Sequence, residues 1–279
     1  MSQEWNLEAL RESVRSTERR YRRELEADLE VGWIDMHSHV LPGVDDGAES
    51  FDHAVELLHE AWEGGTREVY VTPHMFRNPF DNFDAAEMVD AFGRFAEGLR
   101  ELAVHHVTEY RFLRDLKIHL GAENYVSPEF LTALAERRVL TLGSTRCLLL
   151  ELPDGLVTKA AESAVRKVVD AGYVPVLAHV ERVTAFTRSA ASLERLLEEG
   201  AIGQVNLPGL IDPRTFEVAA GHVQSGRARL VASDGHDLAQ RTMRLDRLDE
   251  IPGPRRLRTL VEEAMTVQPR RIFELHRAG

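Results

Sequence analysis

IDMHSHVLPGVDDGAES (residues 34–50) sets two histidines, His37 and His39, one residue apart where an apolar run breaks into a loop. Asp45, Asp46 and Gly47 follow in the same stretch. Imidazoles and carboxylates are metal donors, and a strand end is where a fold can aim several of them at one point. Whether they meet a metal depends on what the rest of the chain delivers there.

Outward from this stretch the chain keeps one rhythm. Residues 32–36 read as a strand, and Ser50 to Gly65 as a helix ended by a glycine pair. A strand over 66–74, a loop over 78–83 and a long helix over 84–107 come next. Residues 116–126 run from strand into loop, and a helix follows with Ser127 as its cap and Pro128 in its first turn. The wholly apolar 146–153 is the mark of a parallel strand covered on both faces. Strands over 173–178, 201–207 and 228–232 alternate with helices over 157–172, 190–200 and 213–226, and helices fill most of the remainder. Seven strand–helix units with short joins, and no Ser/Gly-rich linker or repeat, predict one parallel α/β domain. A barrel of about seven strands is the first expectation and a doubly wound open sheet the alternative. Trp5, Leu7, Leu10, Val14, Tyr21, Leu25 and Leu29 recur at helical spacing among dense charges. The expected organisation is therefore a helical extension over 1–31 and the barrel over 32–279. The extension reads as a solvated helix packed on the outside or as a partner or oligomer helix.

Bulk properties narrow the function. A formal charge of −12 speaks against a nucleic-acid binder, which needs clustered Lys and Arg. No apolar run is long enough to span a membrane, and the N-terminus has no secretory-signal pattern. The single cysteine, Cys147, fits a reducing cytoplasm. A cysteine-based phosphatase would need Arg six positions on, where Pro153 stands, so Cys147 reads as a core residue.

The polar residues then fall into a pattern. His37 and His39, His74, Glu123, His179, and Asp234 with His236 each stand at the C-terminal end of a predicted strand, the face on which barrel sites are built. The other histidines lie on helices or mid-strand and read as structural. One such placement is easily accidental; five strand ends carrying His, Asp or Glu are not. Imidazoles with carboxylates and no thiolate suit Mn, Fe, Zn or Mg ions. A mononuclear site needs about four ligands, so seven imply a cluster with a bridging carboxylate, for which Glu123 is the natural residue.

An HxH motif on the first strand also opens the amidohydrolases. Those typically bridge their metals with a carboxylated lysine and end on a lone aspartate, whereas this chain has Glu123 in "GAE" and ends "SDGH". It resembles the PHP (polymerase and histidinol phosphatase) family, and within it the bacterial manganese-dependent protein-tyrosine phosphatases of capsule and exopolysaccharide operons. The resemblance rests on "IDMHSHVLPGVDDGAES", "VTPH", "GAENY", "LLLELP", "PVLAHVER", "GAIGQVN" and "ASDGHDLAQR", across residues 33 to about 245. It implies a distorted (β/α)7 barrel with a trinuclear site, with Mn2+ as the expected ion and Fe, Zn or Mg acceptable to the same ligands. The implied ligands are His37, His39, Asp46, His74, Glu123, His179, Asp234 and His236, with Asp45 orienting a neighbour or capping the turn. Arg182 and Arg241 match positions that contact phosphate, where guanidinium offers bidentate recognition; alone, either would read as readily as a surface ion pair. The implied reaction is attack of a metal-bound hydroxide on a phosphotyrosyl protein, with a bacterial tyrosine-kinase tail as the expected substrate.

Three features depart from the family pattern: the helix before the first strand, the composition of residues 204–226, and the aromatic loop "HMFRNPFDNF". That loop reads equally as a stacking surface for the tyrosyl ring or as packing over the rim. The nearest rival is a phosphoesterase for a small metabolite such as histidinol phosphate, and the rival of another class is a non-enzymatic, metal-stabilised scaffold. Nuclease activity is disfavoured by the acidic charge. A homo-oligomer is compatible with the sequence.

Overall fold

The structure, a computed structural model, describes Ser16, residues 32–155 and residues 158–278. The predicted extension falls outside these residues but for Ser16. Strands β1 (Trp33–Ser38), β2 (Thr66–Val71), β3 (His74–Met75), β4 (Lys117–Leu120), β5 (Glu123–Tyr125), β6 (Cys147–Glu151), β7 (Val174–Leu177), β8 (Ile202–Asn206) and β9 (Ala228–Ala232) all pair in parallel. They form one sheet in the order β1-β2-β4 and another in the order β3-β5-β6-β7-β8-β9.

The two sheets are one wall. β2 and β3 are a single strand path interrupted at Thr72–Pro73, and β4 and β5 another interrupted at Gly121–Ala122. Backbone bonds cross the breaks, Gly121 N donating to Val71 O at 2.8 Å and Glu123 N to Pro73 O at 3.1 Å. Seven strand paths result among the described residues, as predicted. The barrel closes where β9 returns to β1: Ser38 bridges Gly235, His39 N donates to Gly235 O at 2.8 Å, and Asp234 N donates to His37 O at 2.9 Å. Below them the Ser233 hydroxyl and N–H donate to the buried Asp35 carboxylate at 2.5 and 3.0 Å. The closing seam thus runs through the "HSH" and "SDGH" motifs, and the β1–β2 register slips between Asp35 and Ser38, a bulge that re-aims side chains.

Side-chain alternation explains the apolar strands. Cys147 and Leu149, Val176, Ile202, and Leu230 with Ala232 join a small cluster with Ile272 and Phe273, which fills the barrel. The intervening Leu148 and Leu150, Leu177, Val205 and Val231 join the larger cluster under the helices. Burying a leucine on either face contributes about 1.5–3 kcal/mol, so both faces of "CLLLE" must be apolar.

Helix caps read as the sequence implied. Ser50 Oγ accepts from His53 N at 3.2 Å to start helix Phe51–Glu63, and Ser127 Oγ accepts from Phe130 N at 3.2 Å to start Pro128–Ala135. The helix expected over 213–226 forms as the shorter Phe216–Gln224, preceded by an unexpected short helix Leu207–Ile211. Asp212 separates them, its carboxylate accepting from Arg214 N at 2.9 Å in a local turn.

Candidate metal centre

The C-terminal ends of the strands bring all eight expected ligands to one cup. His37 Nε2 lies 3.2 Å from His39 Nε2, and each is 3.4 Å from Asp234 Oδ1 and 3.5 Å from Glu123 Oε2. His74 Nδ1 and His179 Nε2 both stand 2.8 Å from Glu123 oxygens. Asp46 lies 3.4 Å from His74 Nε2 and from His236 Nε2. Donor atoms gather in three overlapping groups, each within 4.8 Å: His39, Asp46, His74 and His236; His37, His39 and Asp234; His74, Glu123 and Glu151. Two of the residues brought here, His179 (φ +33°) and Asp234 (φ +54°), hold left-handed backbone, a strain of about 1–3 kcal/mol each that clusters at functional sites.

The two adjacent aspartates divide the work. Asp45 is buried, its carboxylate 2.8 Å from His39 Nδ1 while accepting from His74 N and Gly47 N at 3.0 Å. Asp46, half exposed, points its oxygens at the imidazoles and at Arg241 Nη1, 3.5 Å away. Above the cup, Arg182 Nη1 donates to Asp234 Oδ2 at 3.1 Å and Arg241 Nη2 to Asp234 Oδ1 at 3.0 Å.

The charges settle against burial. Burial pushes the Glu123 carboxyl up, but facing His37 and His74 and hydrogen bonds from His179 and His37 hold it well below its ordinary range. Asp234 is held low in the same way by His37, His39 and Arg241. Burial pulls His74 down, yet Glu123 and Asp46 raise it to about 9, and Asp45 with Asp234 raises His39 well above its ordinary value. Protons are therefore retained at neutral pH where other cations would sit. Three buried atoms of the cup, His74 Nδ1, Glu123 Oε2 and His236 Nε2, have no well-directed hydrogen bond, although other ligand-type atoms stand within 3.5 Å of each. Such buried donor atoms of imidazole and carboxylate, aimed into one cup, fit a divalent cation cluster.

The family described as "Capsular polysaccharide synthesis, CpsB/CapC" matches residues 33–273. The chain belongs to the CpsB/CapC family. It is 30% identical to the tyrosine-protein phosphatase YwqE of Bacillus subtilis over 213 residues, 75% of this chain and 79% of that protein. It is 26% identical to the tyrosine-protein phosphatase CpsB of Streptococcus pneumoniae over 248 residues, 86% of this chain and 98% of that protein. Among solved structures, one from the work on YwqE and CpsB, presented as unique metal-dependent tyrosine phosphatases, superposes with a TM-score of 0.69 at 28% identity. That match covers 83% of this chain and 92% of the other. The phosphotriesterase from Mycobacterium tuberculosis, at 13% identity and a TM-score of 0.50, shares the fold alone.

Within this CpsB/CapC barrel the structure adds residues that the sequence pattern passed over. Glu151 ends β6 and joins Glu123 and His74, its carboxylate taking two bonds from Arg77 Nη1 at 2.8 and 2.9 Å. Burial and the like charge of Glu123 push it up. The strand-end rule that found Glu123 applied equally to Glu151, hidden by the apolar run before it. Gln204 and Asn206 alternate on β8 and are buried beneath the cup. The aromatic loop divides: Phe76 is buried against Phe83 and Phe130, whereas the half-buried Phe80 stacks parallel to His74 with ring centroids 5.3 Å apart.

Gly47 sets the loop that carries Asp45 and Asp46. A Cβ there would stand 1.9 Å from His39 O and 2.6 Å from His39 Cβ. Gly47→Ala is expected to push the loop off His39, lowering stability by about 1–3 kcal/mol and weakening Mn2+ binding together. Thermal denaturation with a metal titration checks this; unchanged binding in a destabilised variant counts against the loop's role.

Proposed function

We propose that this chain is a metal-dependent protein-tyrosine phosphatase, with His37, His39, Asp46, His74, Glu123, Glu151, His179, Asp234 and His236 holding a divalent cluster. The observation that carries this reading is the set of three overlapping donor groups lying directly beneath Arg182 and Arg241. Three groups support three ions, and the oxygen–nitrogen donors suit Mn2+ first, with Fe, Zn or Mg in the same class. Such ions supply positive charge and a water acidified toward neutral pH. The protein's own part is orientation. Arg182 and Arg241 recognise phosphoryl oxygens bidentately and offset the charge that develops on them, and Asp234 and Asp46 hold both arginines over the centre. Cys147 takes no part: it is buried, and burial pushes its thiol up to about 11.

A cleft of about 770 Å3 is lined by Glu151, His179 and Arg182 of the centre together with Phe83, Tyr125, Glu129 and Asp154. That volume, with Tyr125 and Phe83 in its wall, suits a tyrosyl side chain carried on a peptide better than a compact metabolite, and supports a protein substrate such as a tyrosine-kinase tail. Among the described residues no helix is long and apolar enough to cross a membrane. The buried free thiol by itself fits a reducing compartment such as the cytoplasm.

The test is hydrolysis of a phosphotyrosyl peptide by chelator-stripped protein, with histidinol phosphate alongside and His37→Ala as control. We expect activity restored by Mn2+, lost in the variant, and at least about tenfold weaker on the metabolite, the discrimination a few lost contacts produce. Faster turnover of histidinol phosphate would move the protein to small-molecule chemistry. Metal uptake without hydrolysis of either would leave a scaffold.

A further inference from the structure

β8 carries two buried amides on alternate positions, and their partners dictate which way each faces. Asn206 Nδ2 donates to Asp234 Oδ2 at 2.7 Å, beside the bond that Arg182 Nη1 donates to the same oxygen. Asn206 Oδ1 then faces Gln204, and an oxygen there needs a donor, which Gln204 Nε2 supplies at 2.8 Å. The Gln204 oxygen is thereby turned toward two groups. One is the backbone N–H of His179, a donor without choice, at 2.9 Å. The other is His37 Nδ1, at 3.3 Å. Because an amide oxygen only accepts, His37 Nδ1 carries the hydrogen. His37 Nε2, which faces Asp234 and Glu123, is left to offer its lone pair to the cup.

From this we infer that Gln204 is a positioning residue that fixes the metal-binding tautomer of His37 through the chain Asp234–Asn206–Gln204–His37. The inference rests on the metal-centre reading above. The chain is anchored at its middle, where Asn206 N donates to the buried Glu181 carboxylate at 3.1 Å. It ties together two donors of one group, His37 and Asp234, and the backbone of a third residue of the cup, His179. The neighbouring imidazoles have acceptors of their own: Asp45 stands 2.8 Å from His39 Nδ1, and the Asp234 carbonyl 2.9 Å from His236 Nδ1. Gln204, like the Asp234 carbonyl and unlike Asp45, is neutral. It orients His37 without adding negative charge to a floor that already holds Glu123 and Asp234, and it aligns the left-handed turn at His179 at the same time.

Two readouts test it, neither of them activity. The first is the Mn2+ dissociation constant of Gln204→Met, which keeps the side chain's length and removes both its polar atoms. Its affinity is expected to fall roughly 10–100-fold, as when the partner behind a ligand is lost. The second is the nitrogen NMR pattern of His37 in Zn2+-loaded protein, where Nδ1–H is expected in wild type and in Gln204→Glu, which retains the acceptor. Gln204→Met binding Mn2+ as wild type does, or a His37 protonated at Nε2 in wild type or in Gln204→Glu, would overturn the role of Gln204. Should Gln204→Met fail to fold, the tautomer in the other two proteins still decides. Wild type that takes up neither Mn2+ nor Zn2+ would instead refute the metal-centre reading itself.

Discussion

Glu123→Gln is expected to lower kcat/KM on a phosphotyrosyl peptide by a factor on the order of 10³ or more, beyond the 10–100-fold that loss of a ligand's partner causes. The side chain is fully buried, and one or other of its oxygens lies within 3.5 Å of His37, His39, His74 and His179. Among the described residues no other carboxylate of the cup has four imidazoles within 3.5 Å. The substitution keeps the shape and removes the charge, so the barrel should fold while the centre loses its common anion. An amide nitrogen would also present hydrogens where histidines or cations need an acceptor. Asp46→Asn makes the informative contrast, since Asp46 is half exposed at the rim and faces two imidazoles. Its loss should be smaller and fall mainly on the donor group shared by His39, His74 and His236. Metal content and kinetics of both variants check this order. A Glu123→Gln protein with activity within tenfold of wild type would remove Glu123 from the centre.

How legible the centre was depends on what a single position can reveal. A strand end is visible in sequence because apolar alternation stops there, and barrel geometry sends every such end to one mouth. His37, His39, His74, Glu123, His179, Asp234 and His236 were found by that rule alone, and all of them meet. Asp46 was not readable that way. It lies in a loop beside Asp45, and only the backbone decides that Asp45 turns under His39 while Asp46 faces His74 and His236 from the rim. Family resemblance supplied that distinction, as it did for Arg182 and Arg241. Glu151 satisfied the rule yet ended a strand so apolar that it read as core. The amides of Gln204 and Asn206 were invisible for another reason: alternation marks which face they occupy, but their meaning lies in partners that are far away in sequence. Fold was the easier part, because seven repeats of one strand–helix pattern constrain topology even when individual boundaries, such as the helix expected from 213, are displaced by a local turn at Asp212.

Metal-free protein is expected to lose stability as pH rises from 7 to 9, and protein in excess Mn2+ to hold or gain it. Without ions His74 is raised from 6.5 to about 9: burial opposes, but the Glu123 charge and the nearby carboxylate oxygens of Asp46 and Glu123 prevail. A histidine raised on folding contributes stability that is fully present below its unfolded value and lost as pH climbs through the folded one. For His74 that difference is worth roughly 3 kcal/mol, and His39 is shifted in the same direction. Other buried groups act in other windows. Burial raises Asp35 to about 6 and Glu181 to about 7, so the loss from Asp35 is over by about pH 7 and only the end of the loss from Glu181 falls above it, while Cys147, raised to about 11, contributes until higher pH. The interval from 7 to 9 therefore reports chiefly on the histidines of the cup. Divalent ions reverse the sign, because each bound imidazole must first release its proton, so affinity grows with pH and stabilises the folded chain by mass action. Denaturation midpoints across this interval, in chelator and in Mn2+, should diverge, and calorimetry in two buffers should show proton release on metal binding near pH 7.5. Parallel curves with no proton release would mean that ions and protons do not compete for these imidazoles, and the cup would have to be a hydrogen-bonded core rather than a metal centre.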